Sequence, residues 1–177
     1  MKRILVVVDM QNDFIIGSLG SEEAKKIVDA SLEKIIAYKQ AQDEVIYTRD
    51  THMKDYLHTR EGSHLPVEHC LKGTWGWKLH EAIEQTREAH TKVFDKLTFG
   101  SVELGEYINN FYKLDKDLEI EFIGLCTDIC VISNVLLVKA FCPEAKISVD
   151  ANCCAGVTVE SHNNALNAMK MCQIEII

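Results

Sequence analysis

Three residues able to carry out acyl transfer stand at or just past the ends of apolar runs in this 177-residue chain. Asp9 follows Ile4–Val8, Lys96 follows Lys92–Asp95, and Cys130 lies shortly after Leu118–Gly124. Cys130 belongs to Gly124-Leu-Cys-Thr-Asp-Ile-Cys130-Val, where a strand pattern gives way to a helical one. A helix N-terminus stabilises a thiolate through its free N–H groups and the macrodipole. The same groups can receive an oxyanion on a substrate carbonyl. The plain alternative is a structural thiol, because free Cys is among the most buried residue types. Asp9 ends an apolar strand, where an unpaired carboxylate is costly to bury, so it needs a cation or a proton. Lys96, from another strand end, is the natural partner. An Asp beside a thiol can take its proton, and a nearby Lys keeps that Asp ionised until then. A structural ion pair would leave the same pattern.

A second group of polar residues begins at Asp50-x-His52. In extended chain, positions two apart share a face. His58, Glu61, His64 and His69 follow. Carboxylates mixed with imidazoles suit a divalent transition metal such as zinc, iron or manganese. A solvated His-rich loop is the competing explanation. The other cysteines carry less. Cys126 and Cys130 are separated by a strand-to-helix turn, and the vicinal pair Cys153-Cys154 is poorly shaped for a disulfide. Cys70, Cys142 and Cys172 resemble small apolar fillers.

These residues need elements to position them. Apolar, β-rich runs at Arg3–Val8, Glu44–Arg49, Lys92–Asp95, Leu118–Gly124, Lys146–Asp150 and Gln173–Ile176 alternate with helical patterns. That alternation predicts an α/β fold, a three-layer α/β/α arrangement around a mainly parallel six-stranded sheet. Helices are expected over Glu22–Gln40, with Ile27, Leu32, Ile35 and Ile36 on one stripe, and over Ser101–Tyr112, Thr127–Phe141 and Val159–Met171. Asp50–Gly76 lacks periodicity, and loops of that length inside a compact domain are usually functional. In an open parallel sheet, sites form beyond the carboxyl ends of the strands, beside the point where strand order reverses. Four consecutive strands would therefore deliver an acid, metal ligands, a base and a thiol to one edge.

The length suits a single domain over residues 1–177. A formal net charge of −8 argues against binding nucleic-acid phosphates, which needs clustered Lys and Arg. The run Ile4–Val8 is too short for a signal peptide or a membrane span. With no export signal, the seven cysteines are expected to be reduced thiols in a cytoplasmic protein that contacts no membrane.

The chain resembles a known family at several points. Val-Val-Val-Asp9-Met-Gln-Asn-Asp13-Phe14, Asp50-x-His52, His69-Cys-Leu-Lys-Gly-Thr74, Lys96-x-x-Phe-Gly-Ser and Gly124-x-x-Thr-Asp-x-Cys130-Val look like the isochorismatase-like cysteine hydrolases, in the family order and over nearly the whole chain. The resemblance implies a Rossmann-like fold and a catalytic triad of Asp9, Lys96 and Cys130. It also implies an oxyanion hole from the N–H groups of Cys126 and Cys130, the first aimed by a cis peptide after Leu125. Isochorismatases proper lack a cysteine matching Cys130, which disfavours vinyl-ether hydrolysis.

Asp50, His52 and His69 are similar to the ligands of nicotinamidases (pyrazinamidases), in which a metal holds the pyridine nitrogen of the substrate. The resemblance then implies one divalent transition metal, zinc first, with iron or manganese as alternatives. Glu61, nine residues past His52, matches one family pattern for a fourth ligand, and His58, six past it, matches another; Glu61 is preferred. Many nicotinamidases carry an aromatic residue before Pro-Pro-His. Here Leu65-Pro66-Val67-Glu68-His69 has none, so Phe14, Phe99, Trp75 or Trp77 must supply the stacking face, and Phe14 and Phe99 are chosen.

The activity implied is hydrolysis of nicotinamide or a pyrazinamide-like aromatic amide to an acid and ammonia through a Cys130 acyl-enzyme. Two alternatives accompany it. One is an amidohydrolase for a non-aromatic carbamoyl or ureido amide, and the other is a non-catalytic metal- or partner-binding relative. Homo-oligomers are common in the family, although the surface pattern derives none.

Overall fold

A computed structural model describes residues 2–177 of the chain. β1 (Arg3–Val8) has five fully buried residues out of six, because it lies inside the sheet with helices over both faces. Its side chains still alternate. Ile4, Val6 and Val8 enter one core, and Leu5 and Val7 enter the other. After β1 come α1 (Asn12–Ile15), α2 (Glu22–Lys26), α3 (Val28–Gln40) and β2 (Glu44–Asp50). A 3₁₀ turn at Tyr56–His58, α4 (Arg60–His64) and α5 (Glu81–Glu84) precede β3 (Val93–Lys96). Then follow α6 (Val102–Leu114), β4 (Glu119–Leu125), a π turn at Thr127–Val131, α7 (Ile132–Phe141), β5 (Lys146–Ala155), α8 (Val159–Met171) and β6 (Glu175–Ile176).

The six strands pair in the order β3-β2-β1-β4-β5-β6, and every pairing is parallel. One core holds Leu104, Ile108, Val135, Val138, Leu166 and Met169 from α6, α7 and α8. The opposite core holds Ala24, Val28, Ile35 and Ile83 from α2, α3 and α5. The expected three-layer α/β/α fold is therefore present. From β1 the chain builds outward to β2 and β3, then returns to place β4 on the other side of β1. The strand order reverses there, so a crevice opens beyond the carboxyl ends of β1 and β4. Gly124 (φ 121°) lets those strands approach closely, since a Cβ there would strike the Val8 backbone.

Several boundaries differ from expectation. The helix expected over Glu22–Gln40 is broken at Ile27, which caps α2 and precedes α3. Its buried face is Val28, Ser31, Ile35 and Tyr38, so Ile36 points outward. The helix expected from Thr127 opens with the π turn, in which the Cys126 carbonyl accepts from both Ile129 N (3.1 Å) and Val131 N (3.0 Å). β5 runs on to Ala155, because after an irregularity near Phe122/Gly124 it pairs again with Gly124 and Leu125. The segment after Asp50 contains a 3₁₀ turn and α4. Cys172 is exposed and so fills no core.

Candidate active site

Asp9 leaves β1 with φ 48°, a left-handed conformation that Asp tolerates better than most residues. It is fully buried. The Thr48 hydroxyl donates to Asp9 Oδ1 at 2.6 Å, and Lys96 Nζ lies 2.7 Å from Oδ2. Lys96 is the last residue of β3, with β2 between it and β1. Neighbouring strands are about 4.8 Å apart, so only a long side chain reaches across the intervening one. The same ammonium is 3.3 Å from Asp50 Oδ1 and 3.4 Å from Cys130 Sγ. One buried cation thus joins the ends of β1, β2 and β3 to the turn after β4.

The electrostatics follow from burial. Desolvation raises the pKa of Asp9, against the lowering effect of Lys96. Burial would lower the pKa of Lys96, but Asp9, Cys130 and Asp50 together outweigh it and hold it well above the usual lysine range. The Cys130 thiol is pushed well up, first by burial and then by the charge of Asp9. The resting thiol therefore keeps its proton. Sequence reasoning expected the helix N-terminus to favour a thiolate; full burial beside carboxylates outweighs it. The cis peptide Leu125–Cys126 stands where the family resemblance placed it.

A cavity of about 510 Å³ opens over this group. Its lining includes Cys126 and Cys130, Phe14 and Phe99, and Asp50, Glu61 and His69. Of the four aromatic candidates, the two phenylalanines line this cavity and the tryptophans do not. Trp77 instead lies under the Arg49 guanidinium at 3.7 Å and donates from Nε1 to Thr51. Trp75 is 56% exposed.

Asp50, His52, Glu61 and His69 each offer a ligand atom, and these atoms all lie within 4.8 Å of one another. His52 Nε2 is 3.0 Å from Asp50 Oδ2 and 3.6 Å from Glu61 Oε1, while His69 Nε2 is 3.7 Å and 3.9 Å from the same two oxygens. The donor set fits a divalent transition metal, because His52 Nε2 is buried and, despite its closeness to Asp50 Oδ2, makes no well-formed hydrogen bond among the described residues. His69 Nδ1 is 2.8 Å from the Val67 carbonyl. Donation there leaves Nε2 as the free ring nitrogen. Asp50 faces both groups, Oδ1 toward Lys96 and Oδ2 toward the imidazoles. Burial would raise its pKa, but His52, His69 and Lys96 together hold it well below the ordinary carboxylate range. His58 is exposed and stands outside the cluster, so of the two alternatives for the fourth ligand the structure brings in Glu61.

Some contacts were invisible in the sequence. Thr48 fixes one oxygen of Asp9. Thr127 Oγ1 is 2.8 Å from His162 Nδ1, which ties α8 to the turn carrying Cys130. The polar residues Gln11 and Asp13 fall within the quoted first motif, and that was the available signal for them.

Comparison with known proteins bears on the family and the fold. Residues 3–177 match the family described as Isochorismatase domain. The chain is 26% identical over 210 residues to the nicotinamidase of Schizosaccharomyces pombe, covering 98% of this chain and 91% of the relative. It is 24% identical over 185 residues to the nicotinamidase/pyrazinamidase of Mycobacterium tuberculosis, covering 99% and 98%. The crystal structure of the Bacillus subtilis nicotinamidase/pyrazinamidase superposes with a TM-score of 0.83 at 24% identity, covering 99% of each chain. That of the Pyrococcus horikoshii pyrazinamidase in complex with zinc gives 0.79 at 24% identity, covering 100% and 99%.

Proposed function

The chain belongs to the isochorismatase domain family, and from that premise we propose that it is a cysteine amidohydrolase for nicotinamide or a pyrazinamide-like aromatic amide. One observation carries the reading. A buried lysine contacts Asp9, Cys130 and Asp50, and Cys130 shares one cavity with Asp50, Glu61 and His69 of a four-residue metal-type cluster. A binding module has no use for a carboxylate, an ammonium and a thiol converging there from separate strand ends. The names of the relatives support the amide substrate.

The chemistry follows from the protonation states. Asp9, raised by burial, accepts the Cys130 proton as sulfur attacks the amide carbon. The ammonium of Lys96 stays charged and balances the site throughout. The N–H groups of Cys126 and Cys130 receive the carbonyl oxygen as it becomes negative. Asp9 then passes its proton to the departing nitrogen, the C–N bond breaks, ammonia leaves and a thioester remains. Asp9 next removes a proton from water as that oxygen attacks the thioester carbon. The C–S bond breaks, the acid departs and Cys130 regains its proton. Phe14 and Phe99 flank the substrate ring. Asp50, His52, Glu61 and His69 would hold a divalent metal, zinc by preference, which would supply a Lewis acid for a ring nitrogen.

The metal cluster favours an aromatic amide over a carbamoyl or ureido compound, which has no ring nitrogen to hold. The test measures ammonia release from nicotinamide, pyrazinamide and an N-carbamoyl amino acid, using metal-loaded and metal-stripped protein. Nicotinamide turnover whose KM rises on stripping is expected. An unchanged KM would point instead to a non-aromatic amide.

A further inference from the structure

Four consecutive residues beyond β1 reach into the connection that supplies the metal-type ligands. Gln11 brackets the Asp50 peptide: its Oε1 accepts from Asp50 N (2.7 Å), and its Nε2 donates to Asp50 O (2.9 Å) and Trp77 O (2.9 Å). Asn12 Nδ2 donates to Trp75 O at 2.8 Å. Asp13 Oδ2 accepts from Cys70 N at 2.8 Å, directly after His69, and Oδ1 accepts from Ser18 N. The Phe14 ring lies 5.6 Å from that of His69. Backbone bonds run alongside, Asn12 N to Lys78 O and Asp13 N to Gly76 O. Gly76 is required here, because the Asp13 carboxylate fills the space where a Cβ would stand.

The two ends of the ligand set are therefore fixed from outside it. Gln11 is fully buried and uses both ends of its amide, a pattern that neither Glu nor Leu can reproduce. Cys70 has φ 46°, an uncommon conformation for a side-chain-bearing residue, and Asp13 holds its N–H in that orientation. Ligands borne on a long connection keep a metal geometry only if something rigid holds their backbone. Here the holding element is the segment just past β1, Gln11 and the short helix α1.

We propose that Gln11 and Asp13 are positioning residues for a divalent metal at Asp50, His52, Glu61 and His69, holding the first and last ligands in register. This rests on the metal reading above. Zinc affinity of the metal-free protein, measured by competition with a chromophoric chelator, and the absorption spectrum of its Co²⁺ form provide the test. Gln11→Glu sets a carboxylate oxygen against two carbonyls, and Asp13→Asn removes the charge opposite Cys70 N. Each is expected to weaken zinc binding by at least about tenfold and to alter the Co²⁺ spectrum. Asn12→Ala cuts the neighbouring tie, to Trp75, which holds no ligand. It is expected to stay within about twofold of wild type, as for a site away from the ligands.

Alkylation of Cys130 by iodoacetamide and thermal melting check that each variant is folded. Wild-type zinc affinity in folded Gln11→Glu and Asp13→Asn overturns the proposal, as does an equal loss in Asn12→Ala. If Gln11→Glu does not fold, Gln11 serves the whole fold, its assignment falls, and Asp13→Asn decides the rest. If wild-type protein binds no zinc, the metal reading itself has failed.

Discussion

Asp9, Lys96 and Cys130 stand at strand ends and in the first turn after β4, and each is at most 4% exposed. Of the four cluster residues, only Asp50 belongs to a strand. His52, Glu61 and His69 come from the connection between β2 and β3, and the Glu61 side chain is 27% exposed. The difference concerns how charge is tolerated. In the first group each ion is compensated by another ion inside the protein, so removing one weakens the compensation of a partner that stays buried. The second group gathers donors around a shared centre, and its outer member still meets water. The first should fail as a unit, and the second one ligand at a time.

The largest expected effect tests the first group. Cys130→Ala and Cys130→Ser should lower ammonia release from nicotinamide by at least about a thousandfold while circular dichroism and melting stay near wild type. Retention of more than about a tenth of the activity, under about 1.4 kcal/mol in barrier, would remove Cys130 from the nucleophile's role. Next comes the test of unity. Asp9→Asn alone should cost nearly as much as Asp9→Asn with Lys96→Met, because both residues serve one proton transfer. Additive losses in kcat/KM would mean that the two act separately.

The second group should respond differently. His52→Ala should release the metal and raise KM for nicotinamide, while iodoacetamide still labels Cys130, since the thiol rests on another element. Loss of labelling in that variant would merge the two regions into one. Smaller again is the contrast between Glu61→Ala and His58→Ala. The first should weaken metal retention on dialysis against a chelator, and the second should not, because His58 stands outside the cluster. Equal retention in both would remove Glu61 from the ligand set.

The smallest effect is a pH dependence of the free protein. Burial and the charge of Asp9 raise the Cys130 pKa, so its thiolate fraction at neutral pH lies below that of a free cysteine, whose pKa is about 8.5. Alkylation of Cys130 should be slower than that of a model thiol at pH 7 and should keep rising above pH 9, where the model thiol levels off. A plateau below pH 8 would reverse the assigned direction.

Much of this architecture was readable from residue patterns alone. Uninterrupted apolar runs signal strands covered on both faces, and their alternation with helices dictates a parallel sheet whose carboxyl ends share one edge. Asp9, Asp50, Lys96 and Cys130 could be assigned to that edge because strand ends are local features of the chain. What remained depends on contacts across the sheet. The choice of Glu61 over His58 turns on how the 3₁₀ turn and α4 fold between β2 and α5, and both residues fit the local spacing. The exclusion of Trp77 from the cavity depends on Arg49 and Thr51, which belong to another segment. The raised thiol pKa is a matter of burial, and no motif encodes the solvent access of a turn. Gln11 and Asp13 were visible as letters in a motif, but their contacts exist only because the turn into α1 lies beside Asp50 and Cys70, residues far along the chain. Sequence alone determined which residues reach the edge of the sheet. Tertiary structure decided which of them meet, because side-chain reach and desolvation are set by neighbours distant in the chain.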